Sequence, residues 1–246
     1  MSRSAQAEHV ILLAGSNPQH AEELAGRVGA MEAVPVVVPG IDDAIALLRE
    51  NQVDFGALMV PTHFDAKGLK KRLKPLIAEA SPDGLALVSV GPPPAKDQRR
   101  QLRGAGFKLA LWDPIDDGIL RFQLNRALNA EHDGNKRSNP RVPTFLLSRI
   151  FVGGREKDAV VYSLSSTGAF LETPRATMDG AEIELEIRIP GSSIRTHAEV
   201  VFCNVPGNLQ RPKLPLGMGV RFQGLDKGSL KLLRSYVEER NALLEV

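Results

Sequence analysis

NKRSNPRVPTFLLSRIFVGGREKDAVVYSLSSTGAFLE, residues 135–172, is the stretch on which the organisation of this chain turns. It opens with two arginines spaced Arg-x-x-x-Arg, Arg137 and Arg141, separated by Asn139-Pro140. A proline disfavours the helical region for the residue before it, so the pair is expected on an extended or turning segment rather than on one face of a helix. Two strand-like runs later comes Ser163-Leu-Ser165-Ser-Thr-Gly168. Ser165 offers a hydroxyl that donates or accepts, and Gly168 permits a close backbone approach or a positive φ that a side chain would block.

The combination of Arg137 and Arg141 with Ser163, Ser165 and Gly168 resembles the PilZ domain, whose signature is Arg-x-x-x-Arg followed by Asp/Asn-x-Ser-x-x-Gly. The resemblance implies a small antiparallel barrel that binds cyclic di-GMP. That ligand has two phosphates and two guanines. Planar guanidinium groups can fork onto its acceptors and lie flat against its purines. A carboxylate or amide side chain meets the paired N–H donors of a guanine edge. Ser163 stands where the family has Asp or Asn and is too short to make both contacts. Losing such a contact costs about 1 to 3 kcal/mol, or roughly 5- to 150-fold in affinity. Two readings follow: a cyclic di-GMP receptor with weakened binding, or a PilZ module retired from nucleotide binding that serves as a protein-interaction surface.

With 246 residues, 43% hydrophobic and 24% charged, the chain reads as ordinary globular material and, at ~150 residues per domain, as two domains. The formal charge is +2 and neither half is a polybasic arm, which argues against duplex nucleic acid as a partner. Cys203 is the only cysteine, which excludes an intramolecular disulfide, and its apolar surroundings predict a buried, inert thiol. Apolar runs are too short for a membrane span or a secretory leader, so a cytoplasmic location without membrane insertion is expected.

Residues 1–130 alternate short apolar runs with amphipathic segments. Strands are expected at 9–14, 33–38, 54–60, 85–90 and 109–112, the second at an edge because it contains Pro35. Helices are expected at 19–28, at 67–80 with Leu69, Leu73, Leu76 and Ile77 inward, at 98–105 and at 116–128, with another capped by Asp42-Asp43. Five strands alternating with five helices predict a doubly wound parallel sheet. In order and length this half resembles the receiver domain of response regulators.

The chemistry of a receiver is missing. Such a domain needs acidic residues after its first strand to hold magnesium, an aspartate ending its third strand and a lysine before a proline after its fifth. Those places read Gly15-Ser16-Asn17, Met59-Val60-Pro61 and Asp113-Pro114. A pseudo-receiver without phosphotransfer is expected. His63 and Asp65 lie where ligands meet an open α/β sheet, yet one histidine and one aspartate make a thin constellation, and the five histidines lack zinc spacing. No catalytic residue, metal or cofactor is therefore expected.

After a polar linker at 131–136 the period shortens. Strands are expected at 144–152, 159–162, 169–172, 182–189, 194–205 and 217–222, with turns at Gly153-Gly154, Asp179-Gly180, Pro190-Gly191 and Pro206-Gly207. They predict a six-stranded antiparallel barrel over 137–246, closed by a helix over 227–244 with Leu230, Leu233 and Val237 inward. The whole reads as a non-enzymatic bacterial signalling adaptor. By resemblance its outputs lie in motility, pili or the cell surface. The pseudo-receiver is expected to dock protein partners, and fold analogy adds pairing into a homodimer.

Overall fold

The computed structural model of the chain describes residues 9–50, 55–64, 68–79, 85–128, 139–211 and 214–246. It falls into two compact units, Met1–Lys136 with Ala242–Val246, and Arg137–Asn241.

The first unit runs β1 (His9–Leu13), α1 (Pro18–Gly29), β2 (Val34–Val38), α2 (Ile41–Glu50), β3 (Phe55–Pro61), α3 (Leu69–Glu79), β4 (Ala86–Gly91), α4 (Lys96–Gly104), β5 (Leu109–Trp112) and α5 (Asp117–Leu128). All five strands are parallel, in the order β2-β1-β3-β4-β5, the flavodoxin-like doubly wound arrangement. β1 is apolar and buried from Val10 to Leu13 because both its faces are covered there. Ile11 and Leu13 enter one core, with Leu58, Leu73 and Phe107, while Val10 and Leu12 enter the other, with Met59, Leu111 and Leu124. Pro35 sits on the edge strand, where its missing N–H is tolerated.

Local chemistry sets the helix starts. The Asn17 side chain accepts from His20 N at 3.2 Å and the Asp116 carboxylate from Ile119 N at 2.8 Å, each satisfying an otherwise orphaned first-turn amide. Asp42 and Asp43 are not caps, contrary to expectation. They occupy the first turn of α2, where a carboxylate still meets the positive end of the helix dipole. Ile77 is also a correction. At 44% exposure it lies outside the core. Leu69, Leu73 and Leu76 recur at i, i+4 and i+7 and form the buried stripe, and position 77 rotates about 70° past its centre.

The second unit runs β6 (Val142–Val152), β7 (Arg155–Ser165), β8 (Gly168–Glu172), β9 (Glu182–Ile189), β10 (Ser192–Val205), β11 (Asn208–Leu209), β12 (Gly217–Gln223) and α6 (Lys227–Asn241). The long strands pair antiparallel in the order β10-β12-β8-β7-β6-β9, and β9 pairs back to β10. The sheet therefore closes into a six-stranded barrel and leaves no free edge among these strands. In β9, Ile183, Leu185, Ile187 and Ile189 are buried while Glu184, Glu186 and Arg188 between them are not, as strict alternation requires. Gly153, Gly154, Gly180, Gly191 and Gly207 hold the turns at positive φ. In α6 the Asp226 carboxylate caps Gly228 N at 2.8 Å and Ser229 N at 3.0 Å, and Leu233 and Val237 are buried.

That helix does not reach Leu244. It ends at Asn241, and Ala242–Val246 belongs to the first unit. There Glu245 bridges Leu109 antiparallel. Leu244 O accepts from Ala110 N at 2.9 Å and from the buried Gln123 Nε2 at 2.7 Å, and Arg126 meets the Glu245 carboxylate at 3.0 Å. Leu244 and Val246 are 4% and 6% exposed. The apolar alternation of Leu244 and Val246 is a strand period, and the segment satisfies amides that the edge of β5 would otherwise present.

Cys203 is buried on β10, its Sγ donating to Thr177 O at 2.8 Å. Burial, followed by the neighbouring Asp179 carboxylate, pushes its thiol up to about 12. Only the thiolate is nucleophilic, so alkylation by iodoacetamide at pH 8 should run about three orders of magnitude slower than for an exposed cysteine. Labelling at an ordinary thiol rate would contradict this placement.

Candidate functional site

Strand register brings the two sequence motifs together. Val142 opposes Leu164 and Pro143 opposes Ser163, so Arg141, the residue before β6, enters the barrel beside the end of β7. Asn139, between the two arginines, accepts a hydrogen bond on its Oδ1 from Ser166 Oγ at 2.9 Å. The segment from Asn139 to Arg141 is thus fastened to the turn that follows Ser165. Arg137 lies outside the described residues, as do the 131–136 linker and Asp65.

The serines and glycine of the second motif spend much of their chemistry on the turn itself. Ser165 is 1% exposed; its Oγ donates to Gly168 O at 3.1 Å and accepts from Thr167 N at 3.4 Å. Ser163 is 4% exposed, held between Pro143 and Phe170 in the neighbouring strands. Gly168 does not have a positive φ. A Cβ there would stand 2.3 Å from Val220 O on β12, so it is the close approach of two backbones that requires glycine.

Arg141 itself lines an open cavity of about 560 Å³ together with Val201, Phe202, Gln210 and Arg211. Within the second unit the cavity wall is built as a stack. The Arg211 guanidinium lies 4.5 Å from the centroid of the Phe202 ring. Phe202 stacks on Phe170 at 5.7 Å, and Phe170 meets Tyr162 edge-on at 6.0 Å. Phe202 can take this position because Gly219 is opposite it: a Cβ on Gly219 would come within 2.0 Å of the ring.

The loop carrying Arg211 is held by a fully buried side chain, Asn204. Its Oδ1 accepts from Arg211 N at 2.8 Å, and its Nδ2 donates to Arg211 O at 2.6 Å and Leu214 O at 3.2 Å. Among the described residues, two arginines and no carboxylate line the cavity. Such a site favours an anion, and the guanidinium-on-ring stack suits one with planar rings. Sequence reading placed Phe202 in a strand and left Gln210 and Arg211 unassigned between two expected strands. The one local signal was Asn204 ahead of a Pro-Gly turn, which does not name the residue it presents.

The other place where a ligand would be sought, the crevice at the carboxyl ends of β1, β3 and β4, is nearly filled. The space lined by Asn17, His20, Met59, Pro61 and His63 amounts to about 20 Å³, room for one water at most. His63 Nε2 accepts from Ser16 N at 3.3 Å, and Gln98 Nε2 donates to Thr62 O at 2.6 Å. β3 ends in proline where a receiver has its phosphate-accepting aspartate. Among the described residues no group of three or more His, Cys, Asp or Glu could hold a metal ion, and no helix is long and apolar enough to cross a membrane.

Comparison with known proteins bears on each half. No curated protein matches the chain significantly. Among solved structures, the chain is similar to the inhibitor of motility MotI/DgrA of Bacillus subtilis, at 21% identity and a TM-score of 0.38, over 44% of this chain and 53% of that one. It thus spans about half the length of that relative. It is similar to the PilZ domain of YcgR from Escherichia coli, solved with c-di-GMP, at 13% identity and a TM-score of 0.36, over 44% of this chain and 94% of that one. It is also similar to the signal receiver domain of an HD domain-containing protein from Pseudomonas fluorescens, at 16% identity and a TM-score of 0.44, over 56% of this chain and 98% of that one. The family model of the PilZ domain matches residues 135–239. Those residues span the closed barrel, the fastened Asn139–Arg141 segment and the serine-glycine turn; over 135–239, then, the chain matches the PilZ family, and in sequence this part follows the receiver-like α/β unit.

Proposed function

We propose that the chain is a non-enzymatic signalling adaptor whose PilZ domain takes cyclic di-GMP at the Arg141 cavity and whose receiver-like unit docks protein partners, in the control of motility, pili or the cell surface. It acts in the cytoplasm and does not bind duplex nucleic acid. The observation that carries this reading is the junction of the two motifs. Arg141 lines a cavity of about 560 Å³, within the range of ordinary small-molecule sites, and its segment is tied to the serine-glycine turn through Asn139 and Ser166. In this reading Arg137 and Arg141 grip the phosphates and guanines, while Ser163, Ser165 and Gly168 shape the floor on which the ligand rests.

Calorimetric titration of the purified chain with cyclic di-GMP tests it. Binding should be measurable, and each of Arg141→Ala and Arg137→Ala should weaken it by about 5- to 150-fold, the weight of one charge-assisted contact. No heat from the unmodified chain would end the receptor reading.

One observation favours the alternative, a PilZ module that no longer binds nucleotide. Ser163 is 4% exposed and the Ser165 hydroxyl is engaged within its own turn, so neither contributes much to a guanine edge. Ser163→Asp separates the two readings. If the unmodified chain is silent and this variant binds, the retired module is correct. If both bind, with the variant about ten-fold tighter, the receptor reading holds and the serine accounts for the deficit.

A further inference from the structure

We infer that Arg211, outside both sequence motifs, is a further ligand-binding residue of the same cavity, contacting a purine ring of the bound nucleotide with its guanidinium face. The inference rests on the reading above, since it takes the Arg141 cavity as the ligand site. Arg211 and Arg141 line that one space, which puts two cations where a dinucleotide has two phosphates and two bases. Arg211 is exposed, yet its backbone is fixed through Asn204 at both its N–H and its carbonyl. The guanidinium carbon lies 4.5 Å from the centroid of the Phe202 ring, itself backed by Phe170. A guanidinium set over a ring in this way makes a stacking platform whose next layer is an aromatic ring from the ligand. Gly219 is integral to the platform, because any side chain there would push the Phe202 ring out of place. A lysine would supply the same charge without the plane.

Calorimetry with cyclic di-GMP, run on the full chain, its Arg211→Ala and Arg211→Lys variants and Arg141→Ala as reference, tests the assignment. Arg211→Ala should lose about 5- to 150-fold in affinity, the range measured for base stacking. It should also make binding less sensitive to salt, because one screened charge interaction is gone. Arg211→Lys should keep the salt sensitivity and still lose affinity. The thermal midpoint of Arg211→Ala should stay within about 2 °C of the parent, because surface substitutions move stability little. If Arg141→Ala weakens binding and Arg211→Ala does not, the role of Arg211 is refuted and the receptor reading survives. If Arg211→Lys binds like the parent, the contact is charge alone and the stacking is refuted. If the unmodified chain gives no heat, both fall together.

Discussion

Replacing Gly168 with alanine is expected to destabilise the barrel by about 3 kcal/mol or more, the upper range for forcing atoms into a filled space. The added Cβ would sit 2.3 Å from Val220 O and 3.4 Å from Arg221 Cα. Both are backbone atoms of the paired strand β12, which cannot rotate aside as a side chain would. Relief requires β8 and β12 to separate where Arg221 opposes Gly168 and Val220 opposes Ala169, at the point where Phe222 N donates to Thr167 O at 3.0 Å. Gly154→Ala is the control. It has positive φ but no atom within 4 Å of the new methyl, so it pays only the left-handed penalty of about 1 to 2 kcal/mol. Urea denaturation of the two variants measures the difference; equal midpoints would refute the steric account. The result also governs how binding data are read. A Gly168 variant that fails to bind nucleotide has lost its barrel geometry, and the failure says nothing of a direct contact between this glycine and the ligand.

The second large effect is at the other unit. Deleting residues 242–246 removes Leu244 and Val246, each worth about 1.5 to 3 kcal/mol of burial. It also strips Ala110 N of its acceptor and Gln123 Nε2 of one of two, the other being Ala110 O at 2.8 Å. A loss of about 4 to 6 kcal/mol is expected, against a total of about 5 to 15 kcal/mol for a whole domain. The truncated α/β unit should therefore be marginal at room temperature. Trp112, the single tryptophan, is on β5 with Arg99 at 5.1 Å from its ring and gives a fluorescence signal confined to that unit. Its unfolding midpoint should fall sharply on truncation and by an intermediate amount in Leu244→Ala, for which about 2 to 5 kcal/mol is typical. A midpoint unchanged by the deletion would show that the segment does not pack on β5. Dissecting the chain at the end of the PilZ match would meet the same difficulty, since the cut at residue 239 takes this segment with it.

Much of this architecture could be read in the linear chain, and the reason is the short range of the signals. A strand with both faces covered must be a continuous apolar run, as from Val10 to Leu13, and one with a wet face must alternate, as in Glu182–Ile189. Asn17 and Asp116 stop orphaned amides within a few residues of themselves, and Gly153-Gly154 makes its turn alone. The missing receiver carboxylates were equally plain, because a residue is either aspartate or it is not. Arg137, Arg141 and the serine-glycine turn stood out through fixed spacing in the same way.

Spacing could not reveal what lies across the barrel from a residue. Gly168 was known to need room, but that the room is taken by Val220 O depends on β8 lying next to β12, some fifty positions on. Arg211 joins Arg141 in one cavity only because β10 and its hairpin come round to the start of β6 when the barrel closes, and neither neighbourhood carries a pattern that points to the other. Leu244 and Val246 looked like the tail of a helix because a few apolar residues suit either period. The open edge of β5, with an amide to satisfy, drew this segment into a single antiparallel bridge instead. Periodicity and turn chemistry act within one segment; partners brought together by folding are set by how the sheets close, and in this chain that closure decides which cation accompanies Arg141.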